Sequence, residues 1–425
     1  MSSLSEDSGK HTPVGVNEMV NKKVAIVLGV LAPYWIEPFR RLQQRGWIIQ
    51  VFVAHTSEQS REYDAETYGD LPFSVKRNAG WSWDLRRLGL RTESIDFQVG
   101  LFADLLKYRP DVILCNQLSV RALISLAYGK VASVPVIPWM AVSSHTERRN
   151  GRFRETYRKH LLSVSPCVCT NGTDAKEYLI GRLGLRPDKA ISTPYCVDVI
   201  KSRARVKSAK LSGAALRRSL NLRANVLLYV GQVIPRKGVE LFLENVCTIS
   251  VDVLSTLSIV VIGGQLDEKL KLRLEKQGLH LINIGFVQPR NLAEYYGMAD
   301  AFVFPTLEDE WGVVINEATA AGLPVLGSQF SGAVTDLVHN GENGYVFDPT
   351  NKAEVMRTIE RFLRLSPAEK EAFGNRSFVL GQRFDVEHTV ANLEFAFRKS
   401  LEGRHGIGQD RNVTDGSDGG MLTGP

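Results

Sequence analysis

Short apolar runs alternate with segments of helical composition along most of the chain. The predicted strands of the first half are Lys23–Val30, Trp47–Ala54, Asp111–Asn116, Val134–Trp139 and Cys167–Asn171. Those of the second half are Val226–Val230, Leu257–Ile262, His280–Ile284, Asp300–Phe304, Leu323–Leu326 and Tyr345–Phe347. Because apolar strands that alternate with helices form parallel sheets covered on both faces, this order predicts an α/β fold.

A basic segment that is poor in large apolar residues, residues 198–219, interrupts this alternation. We place a domain boundary near its start, because the strand and helix pattern begins again after it. The predicted organisation is a disordered N-terminus (1–21), a first Rossmann-like domain (22–198), a second Rossmann-like domain (199–385), a helix (386–402) and a disordered tail (403–425). Two doubly wound parallel sheets would then face each other across a cleft.

The composition is that of an ordinary soluble globular protein. The chain has 425 residues, 44% of them hydrophobic and 23% charged, which is enough for two or three domains. No apolar run approaches the roughly 18 residues of a transmembrane helix, and the N-terminus lacks the apolar core of a secretion signal. Five cysteines, mostly in predicted strands, suit buried thiols better than disulfides or a zinc site. We therefore expect a cytoplasmic protein.

A net charge of +6 and a pI near 9.0 are compatible with nucleic acid, an anionic membrane or phosphorylated ligands. No segment resembles a nucleic-acid-binding module, so no nucleic-acid partner is expected. Basic residues concentrate in 148–159 and 201–218, where a solvated helix face and a charged linker explain them as well as a membrane contact does. Trp35, Trp81 and Trp83 make the first domain a candidate for docking on an anionic membrane.

The segment from Ala301 to Leu326 carries the clearest chemical pattern. An apolar strand, a polar turn and Trp311-Gly312 lead into a predicted helix, whose N-terminus would bind an anion such as phosphate. Gly312 leaves room for close approach to the backbone. Asp309 and Glu317 flank this anion site, which suits a ligand with central phosphates and hydroxyl-rich groups at both ends. The alternative is a βαβ unit whose two acids face solvent.

This segment resembles the donor-site signature of the retaining nucleotide-sugar glycosyltransferases of the GT-B architecture (family 4-like, glycosyl transferases group 1). That signature has two acids separated by seven residues, then a small-residue run ending Gly-x-Pro-Val. Glu317 matches the second acid, residues 322–325 match the run, and Asp309 replaces the usual first Glu. The resemblance extends over about residues 23–399 and is strongest over 230–348. It implies two Rossmann-like domains around a cleft and a C-terminal helix that crosses back to the first domain.

Two cations precede the helix predicted near Gly238. A diphosphate carries negative charge that Arg236 or Lys237 would neutralise as the bond to it breaks. In the family that the chain resembles, a Gly-Arg pair is followed five residues later by the Lys of a Lys-Gly pair. Lys237 matches this lysine, whereas Gln232 occupies the arginine position. Arg236 would replace the missing charge if its loop points inward.

Further candidates follow other predicted strands, because ligands of open α/β sheets bind beyond the carboxyl ends of the strands. The resemblance implies Gly29 near the donor phosphates or acceptor, His145 near the donor sugar, Val287 and Gln288 at the nucleotide base, Val313 and Val314 at the helix N-terminus, and Gly332 in a donor-phosphate loop. A plain turn explains Gly29 equally well, and so does a surface position for His145.

The resemblance implies a hexosyl-type transferase (EC 2.4) that moves a sugar from a UDP- or GDP-sugar to an acceptor hydroxyl with retention of configuration. Lys237 would stabilise the diphosphate, Glu317 would bind the ribose, and Asp309 would hold the donor sugar. No metal ligand set is visible and no cofactor is expected beyond the nucleotide-sugar co-substrate. The implied acceptor is a glycan or a lipid-linked sugar in polysaccharide or glycolipid assembly, at the inner face of the membrane if the protein is peripheral.

Other functions remain open on the same fold. A sugar-nucleotide epimerase would use the same donor site, whereas a phosphorylase would need a pyridoxal-phosphate lysine that no motif suggests. A non-catalytic sugar-nucleotide-binding protein is disfavoured by the paired acids and the missing secretion signal. A Rossmann oxidoreductase is disfavoured because the loop after the first strand lacks GxGxxG.

Overall fold

The computed structural model describes residues 21–55, 68–84, 94–117, 119–148 and 152–409. The expected disorder of residues 1–20 and 410–425 lies outside this range. Asn21, which we expected in the disordered terminus, donates a backbone hydrogen bond to the Gly46 carbonyl at 3.0 Å. The described chain forms two α/β domains, each built on its own parallel sheet.

The first domain contains a seven-stranded parallel sheet of order β3-β2-β1-β6-β7-β8-β9. Its strands are β1 (Lys23–Val30), β2 (Ile48–His55), β3 (Ser74–Arg77), β6 (Val112–Asn116), β7 (Val136–Met140), β8 (Val168–Thr170) and β9 (Ala190–Ser192). An antiparallel pair, β4 (Trp81–Asp84) and β5 (Ser94–Phe97), stands apart from this sheet. The central strands are almost wholly buried, since helices cover both faces.

The second domain contains a six-stranded parallel sheet of order β12-β11-β10-β13-β14-β15. Its strands are β10 (Asn225–Val230), β11 (Leu257–Ile262), β12 (His280–Gly285), β13 (Ala301–Phe304), β14 (Val325–Ser328) and β15 (Gly344–Phe347). The strand order reverses between β10 and β13, so the loops that follow these two strands lie side by side. Such a switch point is where open α/β sheets bind ligands.

Helices connect the strands and cover both sheets. In the first domain they are α1 (Ile36–Gln44), α2 (Leu101–Tyr108), α3 (Val120–Ala132), α4 (Arg152–Ser163) and α5 (Gly172–Gly181). In the second domain they are α6 (Val199–Ser208), α7 (Lys210–Ser219), α8 (Val239–Val246), α9 (Val251–Thr256), α10 (Glu268–Lys276), α11 (Leu292–Met298), α12 (Val313–Ala321), α13 (Gly332–Leu337), α14 (Lys352–Leu363) and α15 (Pro367–Gly381). No helix in the described ranges is long and apolar enough to cross a membrane.

The predicted fold class, two doubly wound parallel-sheet domains, is confirmed. Each predicted strand is present, with ends that shift by a few residues. The strands β3, β4, β5 and β9 were not predicted from the sequence. These strands are only three or four residues long, and β3 (Ser-Val-Lys-Arg) is largely polar, so none of them produces an apolar run.

The basic segment after residue 198 is helical and not an irregular charged linker. The Asp198 carboxylate caps α6 by accepting a hydrogen bond from the Lys201 backbone N–H at 2.8 Å. α7 packs closely on α11 at Gly213, where an added Cβ would lie 2.9 Å from the Glu294 carbonyl. Glycine at this position therefore lets the two helices approach each other.

The final helix, α16 (Val386–Gln409), belongs to the core of the first domain. Val390, Leu393 and Phe397 are fully buried in that core. The Trp47 indole N–H donates to the Glu394 carboxylate at 2.9 Å. The helix continues past the predicted end at residue 402, so residues 403–409 are helical and not part of a disordered tail. Gly403 lowers helix propensity by about 1 kcal/mol but removes no backbone donor, so it does not end the helix.

Candidate active site

Lys237 and Asp309 meet at the switch point of the second sheet. A short 3-10 helix after β10, Pro235–Lys237, ends at Gly238, whose φ of 63° lies in the left-handed region. A Cβ at Gly238 would overlap the Pro305 carbonyl, so glycine is required for this close approach. The Lys237 ammonium donates to the Asp309 carboxylate, and each residue is only 7% exposed. A buried charge pair thus joins the two loops.

The turn into α12 is held by hydrogen bonds around Trp311. Its backbone N–H donates to Asp309 Oδ1 at 3.3 Å, and its carbonyl accepts from Ser331 Oγ at 2.6 Å. The buried indole N–H donates to Asn316 Oδ1 at 2.8 Å. Gly312, with φ 96°, then starts the helix. The N-terminus of α12 is therefore fixed beside the buried charge pair, which favours anion binding at this point.

Glu317 lies one turn further along α12. Its carboxylate accepts a hydrogen bond from the hydroxyl of the buried Tyr296 at 2.7 Å. Burial and this neighbouring carboxylate raise the pKa of Tyr296 well above its ordinary value, so the hydroxyl keeps its proton and remains a donor. Tyr296 thus fixes one oxygen of Glu317.

A cavity of about 560 Å³ lies between the two domains. This volume is in the range of small-molecule binding sites. Five predicted site residues line it: Gln232, Val287, Val313, Val314 and Glu317. Tyr34, Glu37 and Arg40 line it from the first domain, and Lys201, Arg205 and Arg290 from the second. The carboxylate of Glu317, the start of α12 and the loop after β12 therefore face one cleft.

His145 reaches across from the first domain to the turn that carries Asp309. Its Nε2 lies 2.8 Å from the Leu307 carbonyl oxygen and its Nδ1 lies 3.3 Å from the Arg148 guanidinium. Since a carbonyl only accepts, Nε2 carries the ring proton, and Nδ1 accepts from Arg148. The ring stacks on Phe330 at 4.1 Å. Burial and the Arg148 charge lower the pKa of His145, which favours the neutral ring.

A second contact between the domains lies at the start of α5. The Thr173 backbone N–H donates to Asp336 Oδ2 at 2.9 Å. Burial raises the pKa of the Asp336 carboxyl, although the bond from Thr173 opposes this shift. Gly172, with φ 86°, packs against the Trp311 ring, where a side chain would overlap it. Both interdomain contacts therefore converge on the turn before α12.

The other predicted residues, Lys237 and Asp309 among them, are not part of the cavity lining. Gly29 faces Arg121, whose guanidinium would be 3.1 Å from an added Cβ. Arg236 is exposed and donates to the Glu308 carbonyl at 3.5 Å. Gln288 follows Val287 at the end of the β12 loop. Gly332 packs beneath the turn, where a Cβ would meet the Glu310 carbonyl at 2.5 Å.

Tyr296 and Glu310 are the polar neighbours that the sequence analysis missed. Glu310 is half-buried beside Asp309, and burial together with the Asp309 charge raises its pKa. Arg236 and Lys237 oppose this shift, so both cations lie near the Glu310 carboxyl. Burial raises the pKa of Tyr195 in the first domain, and the Glu310 charge adds to this shift. The sequence signal that could have identified Glu310 is its position in an acidic turn.

Residues 215–377 match the family model for glycosyl transferases group 1. This match spans most of the second domain. The chain is 23% identical over 396 residues to the D-inositol 3-phosphate glycosyltransferase of Rhodococcus jostii (strain RHA1), covering 87% of this chain and 84% of that one. It is 27% identical over 144 residues to the lipopolysaccharide glucosyltransferase WaaG of Escherichia coli (strain K12), covering 34% and 38%.

Solved structures share the architecture of both domains. A sucrose-phosphate synthase from Thermosynechococcus elongatus superposes with a TM-score of 0.68 at 18% identity, covering 90% of this chain and all of that one. Anabaena HepE in complex with UDP and glucose superposes with a TM-score of 0.67 at 15% identity, covering 89% of this chain and 100% of that one. The matched residues 215–377 therefore lie within a GT-B fold. The described residues contain no group of three or more His, Cys, Asp or Glu that could hold a metal ion.

Proposed function

We propose that the protein transfers a sugar from a nucleoside diphosphate to an acceptor hydroxyl, with retention of anomeric configuration. The observation that carries this proposal is that the buried Lys237–Asp309 pair lies beside the turn into α12, while Val313, Val314 and Glu317 of the same helix line the interdomain cleft. A cation and a helix N-terminus suit a diphosphate, and a carboxylate one turn away suits ribose hydroxyls. The match to the group 1 family model supports a transferase.

The proposed reaction breaks the bond between the sugar C1 and the β-phosphate oxygen. The electron pair of that bond stays on the diphosphate, where Lys237 and the α12 amides stabilise it. The acceptor oxygen bonds to C1 from the same face, and its proton passes to the departing phosphate oxygen. Removing one such charge-stabilising donor typically lowers kcat by a factor of about 10²–10³. Since Lys237 and the helix end supply the positive charge, the proposal needs no metal ion.

The donor is proposed to be a UDP-sugar. Val287 and Glu317 line the same cavity, so a nucleoside would place its base at the β12 loop and its ribose at α12. Anabaena HepE, which shares the fold, has been solved with UDP and with UDP-glucose. A GDP-sugar is the alternative donor.

The acceptor is proposed to be a glycan or a lipid-linked sugar in polysaccharide or glycolipid assembly. Relatives include the lipopolysaccharide glucosyltransferase WaaG and the sulfoquinovosyl transferase SQD2 of Arabidopsis thaliana, which is 23% identical over 349 residues. A cytoplasmic location follows from this role as part of the proposal.

The test is nucleotide release from UDP-, GDP- and ADP-sugars, with and without EDTA. We expect slow UDP release that EDTA leaves unchanged and that Lys237→Met reduces at least about 100-fold. The matched control is Lys269→Met, which removes an exposed lysine of α10. An isomerised sugar nucleotide would favour an epimerase, and tight binding without turnover would favour a binding protein. Activity that is lost in EDTA and restored by a metal would contradict metal independence.

A further inference from the structure

The helices α6 and α7, residues 199–219, form a surface that we name the basic arm. The arm contains seven lysines and arginines and no aspartate or glutamate. It packs on the second domain through an inner face that includes the buried Val199 and Gly213. Its composition is unusual for a solvent-exposed helix pair, which normally carries both signs of charge.

Two of the seven cations have structural partners on the inner face. Arg203 donates to the Ala321 carbonyl and lies over the Phe378 ring. Arg217 pairs with the Asp300 carboxylate at 3.1 Å. The other five extend along the exposed side of the arm: Lys201, Arg205, Lys207, Lys210 and Arg218. Five cations that make no ion pair with the residues the structure describes therefore face outward from two short helices.

The same side of the arm exposes apolar side chains. Ile200 is 57% exposed and Leu211 is 87% exposed, both far more than aliphatic residues of a packed helix need be. Together with the exposed Ala204 and Ala215 they recur at intervals of four, seven and four residues. The helices meet at Ala209, whose N–H donates to the Arg205 carbonyl and whose carbonyl accepts from Gly213. An apolar stripe bordered by cations is the pattern of a helix that lies in a membrane interface.

Acids of neighbouring elements do not cancel this charge. Asp198 is occupied by the Arg41 guanidinium at 2.9 Å, and Asp300 by Arg217. Glu294 on α11, whose backbone carbonyl lies against Gly213, remains an exposed acid beside α7. Asp385 accepts the Val199 backbone N–H at 2.9 Å, and Glu317 lines the cavity together with Lys201 and Arg205. The five outward cations outnumber these described acids, so the arm keeps a positive charge.

The sequence suggested a membrane contact on the first domain as well. Of the tryptophans named there, Trp35 is buried and cannot insert into a lipid surface, whereas Trp81 is 59% exposed. In the basic stretch around α4, Arg158 pairs with Glu147 and Lys159 pairs with Glu155. Two of the six cations of residues 148–159 are therefore paired with acids of the first domain.

The arm also adjoins the mouth of the cleft. Lys201 and Arg205 border the cavity, and Arg40 and Arg290 continue the row of cations around its rim. A surface that bound the arm would consequently lie next to the opening through which an acceptor enters.

We propose that the basic arm docks on an anionic phospholipid surface, with Ile200 and Leu211 inserted among the headgroups and the cleft mouth beside the membrane. Electrostatic attraction holds the five cations to anionic lipid, and the two aliphatic side chains distinguish a lipid surface from other polyanions. The inference that a lipid-linked acceptor enters the cleft from the membrane rests on the proposed function. The binding of the basic arm to anionic phospholipid does not.

The test is co-sedimentation of the full-length protein with phosphatidylcholine vesicles, with and without one-third phosphatidylglycerol. We expect binding to the anionic vesicles alone, weakened by added salt. Lys207→Glu/Lys210→Glu should reduce the partition coefficient at least about 25-fold, at about fivefold for each cation. Leu211→Ser should reduce it about tenfold. The matched control is Lys269→Glu/Lys276→Glu, which makes the same charge change on α10 and should bind within about twofold of wild type.

Equal binding to neutral and anionic vesicles would overturn the proposal, as would a control variant that loses as much binding as the arm variant. Binding to polyuridylate as tight as to vesicles, with neither affected by Leu211→Ser, would overturn it in favour of nucleic acid. Nucleotide release from a soluble donor should be unchanged in the arm variants, since Lys207, Lys210 and Leu211 do not line the cavity. Failure of the transferase proposal would therefore leave the vesicle result intact.

Discussion

Lys237 and Asp309, 72 residues apart in the chain, form an ion pair whose side chains are only 9% and 10% exposed. The pair links the loops after β10 and β13, the two strands at the switch point. A cation held in this way is positioned before a ligand arrives. The pair also makes each partner depend on the other, because a buried charge without its partner is strongly unfavourable.

Lys237→Met and Asp309→Asn should each lower the free energy of unfolding by about 3–5 kcal/mol. The double variant should be more stable than the sum of the two losses predicts, because it leaves no unpaired charge. Urea unfolding of the four proteins measures this coupling. Nucleotide release should stay at least about 100-fold reduced in the double variant, which separates the stability of the pair from the proposed role of Lys237. Additive losses of stability would contradict the pairing.

Tyr296→Phe should weaken donor binding by about tenfold, because it removes a hydrogen bond to a charged group that fixes Glu317. The expected change is in KM for the nucleotide sugar and in the calorimetric Kd for the nucleotide, with kcat little changed. Glu317→Gln should have a larger effect on the same constants. A Tyr296→Phe variant with reduced kcat and unchanged nucleotide affinity would show that Tyr296 acts elsewhere than through Glu317.

Glu310→Gln should change which donor sugar is used without changing the affinity for free nucleotide. Asp309 is engaged with Lys237 and with the Trp311 N–H, so we expect the adjacent Glu310 carboxyl to make the contacts to the sugar hydroxyls. The measurement compares kcat/KM for UDP-glucose, UDP-galactose and UDP-N-acetylglucosamine. The control is Glu308→Gln in the same turn. Selectivity that shifts equally in both variants would contradict a specific role for Glu310.

The stability that His145 contributes should fall in acid, because protonation removes the Nδ1 acceptor of Arg148 while the Nε2–H bond to Leu307 is kept. The pKa of His145 is lowered in the folded protein, so the unfolded chain binds more protons between the folded value and about 6.5. The stability that neutral His145 contributes is present above about 6.5 and is lost as the pH falls towards the folded pKa. His145→Gln should therefore show a flatter loss of unfolding free energy between pH 7.5 and 5.5. Identical pH profiles for the two proteins would rule out this linkage.

The sequence predicted the two sheets because their central strands are buried on both faces and are therefore apolar runs. β3 and β9 escaped prediction because they are short strands at the edges of the first sheet, where an apolar run is not required. The helical state of residues 199–219 also escaped prediction. Its buried face is small, with Val199 and Gly213 as the buried residues, so hydrophobic periodicity gave little signal.

Two parts of the candidate site could be predicted from the sequence because each is a local pattern. These are the spacing of Asp309 and Glu317 and the Lys237-Gly238 pair. What could not be predicted is how these residues are engaged. Tyr296 reaches Glu317 from another helix, and Asp309 turns to Lys237, so both relationships depend on tertiary packing. From the sequence, His145 was as compatible with a surface position as with a position near the donor sugar. Its contact with Leu307 places it at the domain junction.

The position of α16 has a consequence for synthesis on the ribosome. Val390, Leu393 and Phe397 complete the hydrophobic core of the first domain, yet they follow the whole second domain in the chain. Domains usually fold in the order in which they emerge during translation, but this one lacks part of its interior until residues 386–401 have been made. A nascent chain that stalls within residues 215–377 would therefore expose the part of the first domain's hydrophobic core that α16 covers in the finished protein. Chaperones would bind this exposed apolar surface.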